Sequence, residues 1–167
     1  AMLVVLGISS KELEKILNEN KDSYECFIAN DNSPLQVAVS GLKKDINLLS
    51  DDLNNKKIKN LKLNVSAPFH CKYMKIASEK MTSYINDLNM NELEKPIISN
   101  VTAGETSSSG EIKSLLISQI EKKVRWLESV EYMINNGVKN FVEIGPGKVL
   151  SGLIKRINKN VNVNSIN

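Results

Sequence analysis

The single histidine of this 167-residue chain, His70, closes the stretch Asn64-Val65-Ser66-Ala67-Pro68-Phe69-His70. Imidazole is the side chain whose ordinary pKa lies nearest neutrality, so it can take up and return a proton within one catalytic cycle. Acid–base chemistry near pH 7 would therefore start at His70. A lone histidine after a short Val-rich strand also fits a helix-capping or core residue, and its type alone leaves both readings open. Ser66 and Cys71 are its nearest candidate nucleophiles in sequence, but chain neighbours seldom present their side chains to each other productively. The Gly-x-Ser-x-Gly pattern that lifts a serine onto a strained strand-to-helix elbow is absent. His70 is a candidate base without a visible nucleophile. Glu143, at a strand end, could act as acid or base or could cap a helix. Gly145-Pro146-Gly147-Lys148 lacks the four residues between glycines and the Ser or Thr after Lys that a P-loop requires, so a tight turn onto a helix is expected there, not a phosphate cradle.

The elements that must position these groups are legible from periodicity and turn chemistry. Residues 2–6 are a β-rich run. Ser9 or Ser10 can cap a helix through Asn18, with Leu13, Ile16 and Leu17 on one face. Residues 24–29 read as a strand, Asp31-Asn32-Ser33-Pro34 as a turn, and 36–40 as a second strand broken by Gly41. Ile46, Leu49 and Leu53 recur at helical spacing, and 57–65 is a final strand. This is the βαββαβ order of a ferredoxin-like unit, which hosts many unrelated functions. Beyond His70, residues 74–88 are expected to form a helix burying Met74, Ala77, Met81, Tyr84, Ile85 and Leu88. A strand at 96–101, an exposed mobile connection at 103–110 and helices at 111–121 and 124–136 follow, the second ended by Gly137. The chain closes with a strand at 140–144, a helix at 148–158 and a strand at 161–165, an α/β arrangement with parallel pairing.

Composition sets the outer limits. With 41% hydrophobic and 25% charged residues the chain can bury a core, and neither disorder nor a fibre is indicated. Its longest apolar runs fall far short of the ~20 residues that cross a bilayer, so no membrane partner is expected. A net charge of +3, only two arginines and 5% aromatics argue against nucleic-acid binding. Cys26 and Cys71 match no metal-ligand spacing and make a weak case for a disulfide. No metal is expected, and a reducing compartment is: cytoplasm, or plastid or mitochondrion in a eukaryote.

Several motifs in one order carry a more specific reading. Residues 64–74 resemble the His motif of malonyl-CoA:acyl carrier protein transacylases. Val124-Arg125-Trp126 with Ser129-Val130-Glu131-Tyr132-Met133 is similar to that family's penultimate helical region. Phe141-Val142-Glu143-Ile144-Gly145-Pro146-Gly147-Lys148-Val149-Leu150-Ser151-Gly152-Leu153-Ile154-Lys155-Arg156 is similar to its C-terminal signature, and Asn32-Ser33-Pro34-x-Gln36-Val37 to its small subdomain.

The resemblance implies an α/β fold: a ferredoxin-like βαββαβ subdomain (residues 1–65) followed by the C-terminal part of an α/β-hydrolase-like acyltransferase domain (66–167). On that template the Gly-His-Ser-x-Gly elbow, the arginine that clamps the malonyl carboxylate and the glutamine of the oxyanion site lie upstream of Ala1, so this chain alone is expected to be inactive. The implied activity, in fatty acid synthesis, is ping-pong transfer of malonyl from malonyl-CoA to the pantetheine thiol of acyl carrier protein, with no cofactor of the enzyme's own. It would make His70 the general base, Gln119 the residue whose backbone carbonyl orients the His70 ring, and Phe69 the substrate-binding neighbour whose ring excludes an α-methyl group. The charged stretch Ile120-Glu121-Lys122-Lys123 departs from the family's pattern. Lys56, Lys57, Lys59, Lys62, Lys72, Lys75 and Lys80 flank the motif and are candidates for steering an acidic carrier. Apolar strand edges that lack neighbours predict self-association or association with the absent N-terminal portion. The alternative reading is a non-catalytic module that binds a carrier protein or another partner.

Overall fold

The computed structural model describes residues 1–166; Asn167, the last residue of the expected second subdomain, lies outside them. Strand β1 (Met2–Leu6) owes its central place to alternation: Leu3 and Val5 point to one face and Met2 and Val4 to the other. It leads into helix α1 (Ser10–Glu19), which starts on a capping box in which the Ser9 hydroxyl accepts from the Glu12 N–H while the Glu12 carboxylate accepts from the Ser9 N–H. Strands β2 (Cys26–Ser33) and β3 (Gln36–Gly41) form a hairpin, helix α2 (Lys43–Asn55) crosses back, and the short β4 (Asn60–Lys62) completes the sheet. The order is β2-β3-β1-β4, antiparallel throughout, which is the ferredoxin-like arrangement. One face packs Leu3, Val5, Val37 and Val39 against Leu13 and Leu17 of α1 and Ile46, Leu49 and Leu53 of α2. The other buries Ala29, Ala38 and Met2.

The second half begins with the 3-10 turn Lys72–Met74 and helix α3 (Lys75–Asp87). A two-stranded ribbon follows, β5 (Ile97–Ile98) against β6 (Glu105–Thr106), then helices α4 (Ser109–Ser118) and α5 (Trp126–Asn135). Strand β7 (Asn140–Ile144), helix α6 (Val149–Ile157) and strand β8 (Asn162–Ile166) make a parallel β-α-β unit around Val130, Ile154 and Val161. Helices α5 and α6 also pack against β2, joining the halves.

Four expectations need correction. The turn predicted at Asp31–Pro34 is strand through Ser33, and Pro34 and Leu35 make the turn. The Asn- and Asp-rich residues are absorbed by irregular registers between Ile28 and Asn30 and between Asp31 and Ser33, because the outer edge of β2 is paired by Val124, whose N–H donates to the Ala29 carbonyl and whose carbonyl accepts from the Asp31 N–H. The strand predicted at 57–65 shrinks to three residues, since Lys57 takes a left-handed conformation at the end of α2. The 103–110 connection is not exposed throughout: Ala103 and Thr106 are buried, 105–106 are strand, and Ser108 caps α4. On α3 only Ile85 of the six expected core residues is buried; Tyr84 is 70% exposed, with Met81 and Leu88 also exposed.

Gly41 ends β3 for a reason other than chain reversal. A Cβ there would come within 3.0 Å of the Glu25 carbonyl oxygen, so the close approach of β2 requires glycine. Ile144, 81% exposed, and the exposed Val142 and Ile166 leave the β7–β8 pair uncovered on at least one face, unusual for parallel strands, which are normally buried on both. Among the described residues no helix is long and apolar enough to cross a membrane.

Candidate active site

His70 is delivered by a tight turn. Its φ of 60° lies in the left-handed region that side chains with a Cβ rarely adopt, so the surrounding contacts must hold it there. On its C-terminal side the Cys71 thiol donates to the Pro68 carbonyl at 3.1 Å and the Met74 N–H to the Cys71 carbonyl at 2.9 Å. Next along, Glu25 of the small subdomain accepts from Lys72 Nζ at 2.6 Å and from the Tyr73 hydroxyl at 2.7 Å, while the Tyr73 ring meets Phe27 edge-on. These bonds tie the turn to the start of β2.

The ring's Nδ1 lies 2.8 Å from the backbone carbonyl oxygen of Gln119. A carbonyl only accepts, so Nδ1 carries the proton and Nε2 keeps its lone pair free in the neutral ring. Gln119 follows the last residue of α4, where helical carbonyls run out of intrahelical donors. His70 thus fills a vacancy that the end of any helix creates. His70 and Gln119 are 49 positions apart in sequence and are brought together by packing alone.

His70 opens on a cleft of about 450 Å³ whose lining includes Cys26, Phe27, Lys72, Lys122 and Lys123. Phe69 stands beside His70 with 38% of its surface exposed. Neither cysteine offers a reactive thiol. Burial pushes the Cys26 thiol up to about 12, and Cys71 is buried with its thiol donating to the Pro68 carbonyl. Ser66 makes no hydrogen bond to the His70 ring among the described residues. Nor do three His, Cys, Asp or Glu side chains gather there into a metal site.

Glu143 is neither free acid nor base. Its carboxylate accepts from the Leu150 and Ser151 N–H groups at 3.0 and 2.7 Å and from the Ser151 hydroxyl at 2.5 Å, capping α6, and those bonds hold it below the usual carboxylate range. The helix N-terminus that a phosphate would need already holds an internal anion. Of the flanking lysines, Lys56 pairs with Asp52 and Lys72 with Glu25, both at 2.6 Å, so part of the basic flank is locally neutralised.

Sequence reading missed Asn100, Arg125 and Asp31. Asn100 Nδ2 donates to the Gln119 side-chain oxygen at 3.2 Å, and Arg125 donates to the Thr102 carbonyl at 2.8 Å and is paired with Glu128. Asp31 is buried beside the Val124 bridge with Oδ1 unpartnered, and burial raises its pKa, opposed by Lys123 and a Ser10 hydrogen bond. A carboxyl whose folded pKa lies above its unfolded value costs stability once pH rises through that range. Asp31→Asn, which keeps the shape without the charge, is expected to raise the melting temperature at pH 7 by about 2–4 °C, for about 1 kcal/mol. The gain should vanish below pH ~3.5, where both states are protonated in the parent. Melting curves at the two pH values check this; a gain that persists in acid would refute it.

The comparisons with known proteins agree with one another. A curated malonyl CoA-acyl carrier protein transacylase of Staphylococcus aureus is 38% identical over 170 residues, covering 99% of this chain and 54% of the relative. One from Bacillus subtilis is 37% identical over 161 residues, covering 95% and 51%. Among solved structures, the malonyl CoA-acyl carrier protein transacylase of Clostridium perfringens matches with a TM-score of 0.93 at 36% identity, over 99% of this chain and 52% of the other. A malonyl-transacylase solved in complex with a type II PKS acyl-carrier protein matches with a TM-score of 0.93 at 32% identity, over 100% and 54%. No protein-family model matches the sequence. The chain spans about half the length of the curated relatives it matches.

Proposed function

We infer that this chain, whose sequence and fold are similar to about half of a malonyl-CoA:acyl carrier protein transacylase, supplies the general base of malonyl transfer from malonyl-CoA to the pantetheine thiol of acyl carrier protein. The observation that carries the reading is the 2.8 Å contact from His70 Nδ1 to the Gln119 carbonyl oxygen, which leaves Nε2 as the free acceptor. Residues 1–65 act as the small subdomain and 66–167 as part of the large acyltransferase domain, and the nucleophilic serine is contributed by sequence outside this chain.

In the first half-reaction His70 Nε2 takes the proton from that serine as its oxygen attacks the malonyl thioester. The carbon–sulfur bond breaks, the protonated ring gives its proton to the leaving CoA thiolate, and a malonyl ester remains on the serine. In the second, Nε2 removes the proton of the carrier's pantetheine thiol, the sulfur attacks the ester carbonyl, the carbon–oxygen bond to the serine breaks, and the ring returns the proton to the serine oxygen. The Gln119 carbonyl holds the ring in one tautomer through both. On the same reading the ring of Phe69, the residue before the base, excludes an α-methyl branch.

Mass spectrometry tests the division of labour. After incubation with malonyl-CoA the chain alone is expected to gain no adduct, whereas the chain joined to the N-terminal half of the Bacillus subtilis relative is expected to gain one malonyl group on that half and pass it to acyl carrier protein. An adduct on the chain alone would overturn the reading, and no adduct in the joined protein would favour a carrier-binding module instead. In the same joined enzyme, Phe69→Ser is expected to raise the methylmalonyl-to-malonyl ratio of kcat/KM by roughly 10-fold or more, the usual worth of one methyl group in a fitted pocket. An unchanged ratio would remove Phe69 from the specificity argument.

A further inference from the structure

The carbonyl that orients His70 belongs to an irregular segment, 119–125, which leaves α4, runs along the free edge of β2 and turns into α5. An irregular segment sets a carbonyl direction only if it is braced. In its later part Val124 is bonded to Ala29 and Asp31 at 2.8 and 2.9 Å. Its two ends are both bonded to one residue: Asn100 Nδ2 donates to Gln119 Oε1 at 3.2 Å, and the Asn100 carbonyl accepts from the Arg125 N–H at 2.9 Å. Asn100 in turn sits in a stiff turn. The Val101 N–H donates to Ser99 Oγ at 3.1 Å, the Ala103 N–H to the Ser99 carbonyl at 2.9 Å, and the Arg125 guanidinium to the Val101 and Thr102 carbonyls at 3.3 and 2.8 Å.

We propose that Asn100 is a positioning residue for His70, acting through the Gln119 side chain to fix the peptide whose carbonyl oxygen accepts the Nδ1 proton. The bond to Gln119 Oε1 pins that side chain, the Gln119 N–H is bonded to the Leu115 carbonyl at 2.9 Å, and the Ile120 N–H, in the same peptide as the Gln119 carbonyl, is bonded to the Ile117 carbonyl at 3.2 Å, so that peptide is braced on both sides. The catalytic consequence rests on the reading of His70 as base; the effect on the ring does not.

Because the chain has a single histidine, ring-nitrogen NMR of the 15N-histidine-labelled chain reads His70 alone. The parent should show Nδ1 protonated and Nε2 bare. Asn100→Ala and Gln119→Leu should each move both signals toward a tautomer mixture and speed exchange of the Nδ1 proton about two- to tenfold, the worth of one hydrogen bond. The double variant should do no more than either single one, since both cut the same bond. Gln119→Glu, which keeps an acceptor for Asn100, should retain the parent signature. Thr106→Val, which removes a 2.6 Å bond to Glu111 elsewhere, should lower the melting temperature and leave the ring unchanged. Parent-like ring signals in folded Asn100→Ala or Gln119→Leu would overturn the proposal, and Gln119→Leu decides alone if Asn100→Ala does not fold. Shifted ring signals with unimpaired transfer in the joined enzyme would uphold the positioning role and overturn His70 as base.

Discussion

His70→Ala, in an enzyme that joins this chain to a serine-bearing half, is expected to slow malonyl transfer by about 10³-fold in kcat, within the 10²–10⁴ that a positioned base contributes. The expectation follows from which ring nitrogen is engaged. With Nδ1 against the Gln119 carbonyl oxygen, the proposed base is left with Nε2 to take the nucleophile's proton, and among the described residues no other candidate base is free to replace it. Glu143 is committed to the end of α6, and the Cys26 thiol is pushed up to about 12. KM for malonyl-CoA should change little, because the ring's contribution grows only as the proton moves. The substitution also strips the donor from the Gln119 carbonyl, at about 1 kcal/mol of stability, so a melting curve must accompany the rates. A loss below tenfold in a folded variant would show that another group carries the proton. Transfer that fell only through a higher KM would point to a binding role.

What the sequence made legible was what local chemistry decides. The serine cap of α1, the β-rich run of β1, the parallel β7–α6–β8 unit and the glycine that ends α5 all follow from residue types and spacing. The errors sit where a distant partner wins. Asp31, Asn32 and Ser33 have strong turn chemistry, yet Val124, more than 90 positions away, holds this stretch as an edge strand. Residues 103–110 look like a solvated loop because they are rich in Ser, Gly and Thr. Several of those side chains are bonded locally instead, as the Ser108 cap and the bond from the buried Thr106 to Glu111. The apolar face of α3 is real in sequence and uncovered in the structure, since periodicity reports a preference for burial and not the presence of a cover.

The site divides the same way. The type and solitude of His70 were readable, but its φ of 60° was not, and no short-range signal marks Asn100 as the residue that holds both ends of the 119–125 segment. Asparagine near the end of an expected strand, as at 96–101, reads as an ordinary strand-end residue. Its importance comes from two bonds made across 19 and 25 positions, which only the folded arrangement supplies.

Leu49→Ala carries the largest expected loss of stability, about 3 kcal/mol, or a fall of roughly 6–12 °C in melting temperature. Leu49 is 0% exposed on α2 and packs into the cluster of Leu3, Val5, Val39 and Leu53, where a removed isobutyl group leaves a cavity ringed by strand residues that cannot follow it inward. The variant also asks whether the two halves unfold together. Trp126, the only tryptophan, packs against the other cluster, with Val130, Ile154 and Val161. It directly follows the segment whose Val124 is bonded to the edge of β2, and α5 and α6 rest on that strand. Loss of the sheet therefore removes the support of the tryptophan's own core, and the fluorescence transition should shift as far as the helical circular dichroism does. A tryptophan transition that stayed at the parent temperature while the dichroism moved would mean that the halves unfold separately. In that case Val124 would be a contact between independent units, and the small subdomain would have no hold on the carbonyl that orients His70.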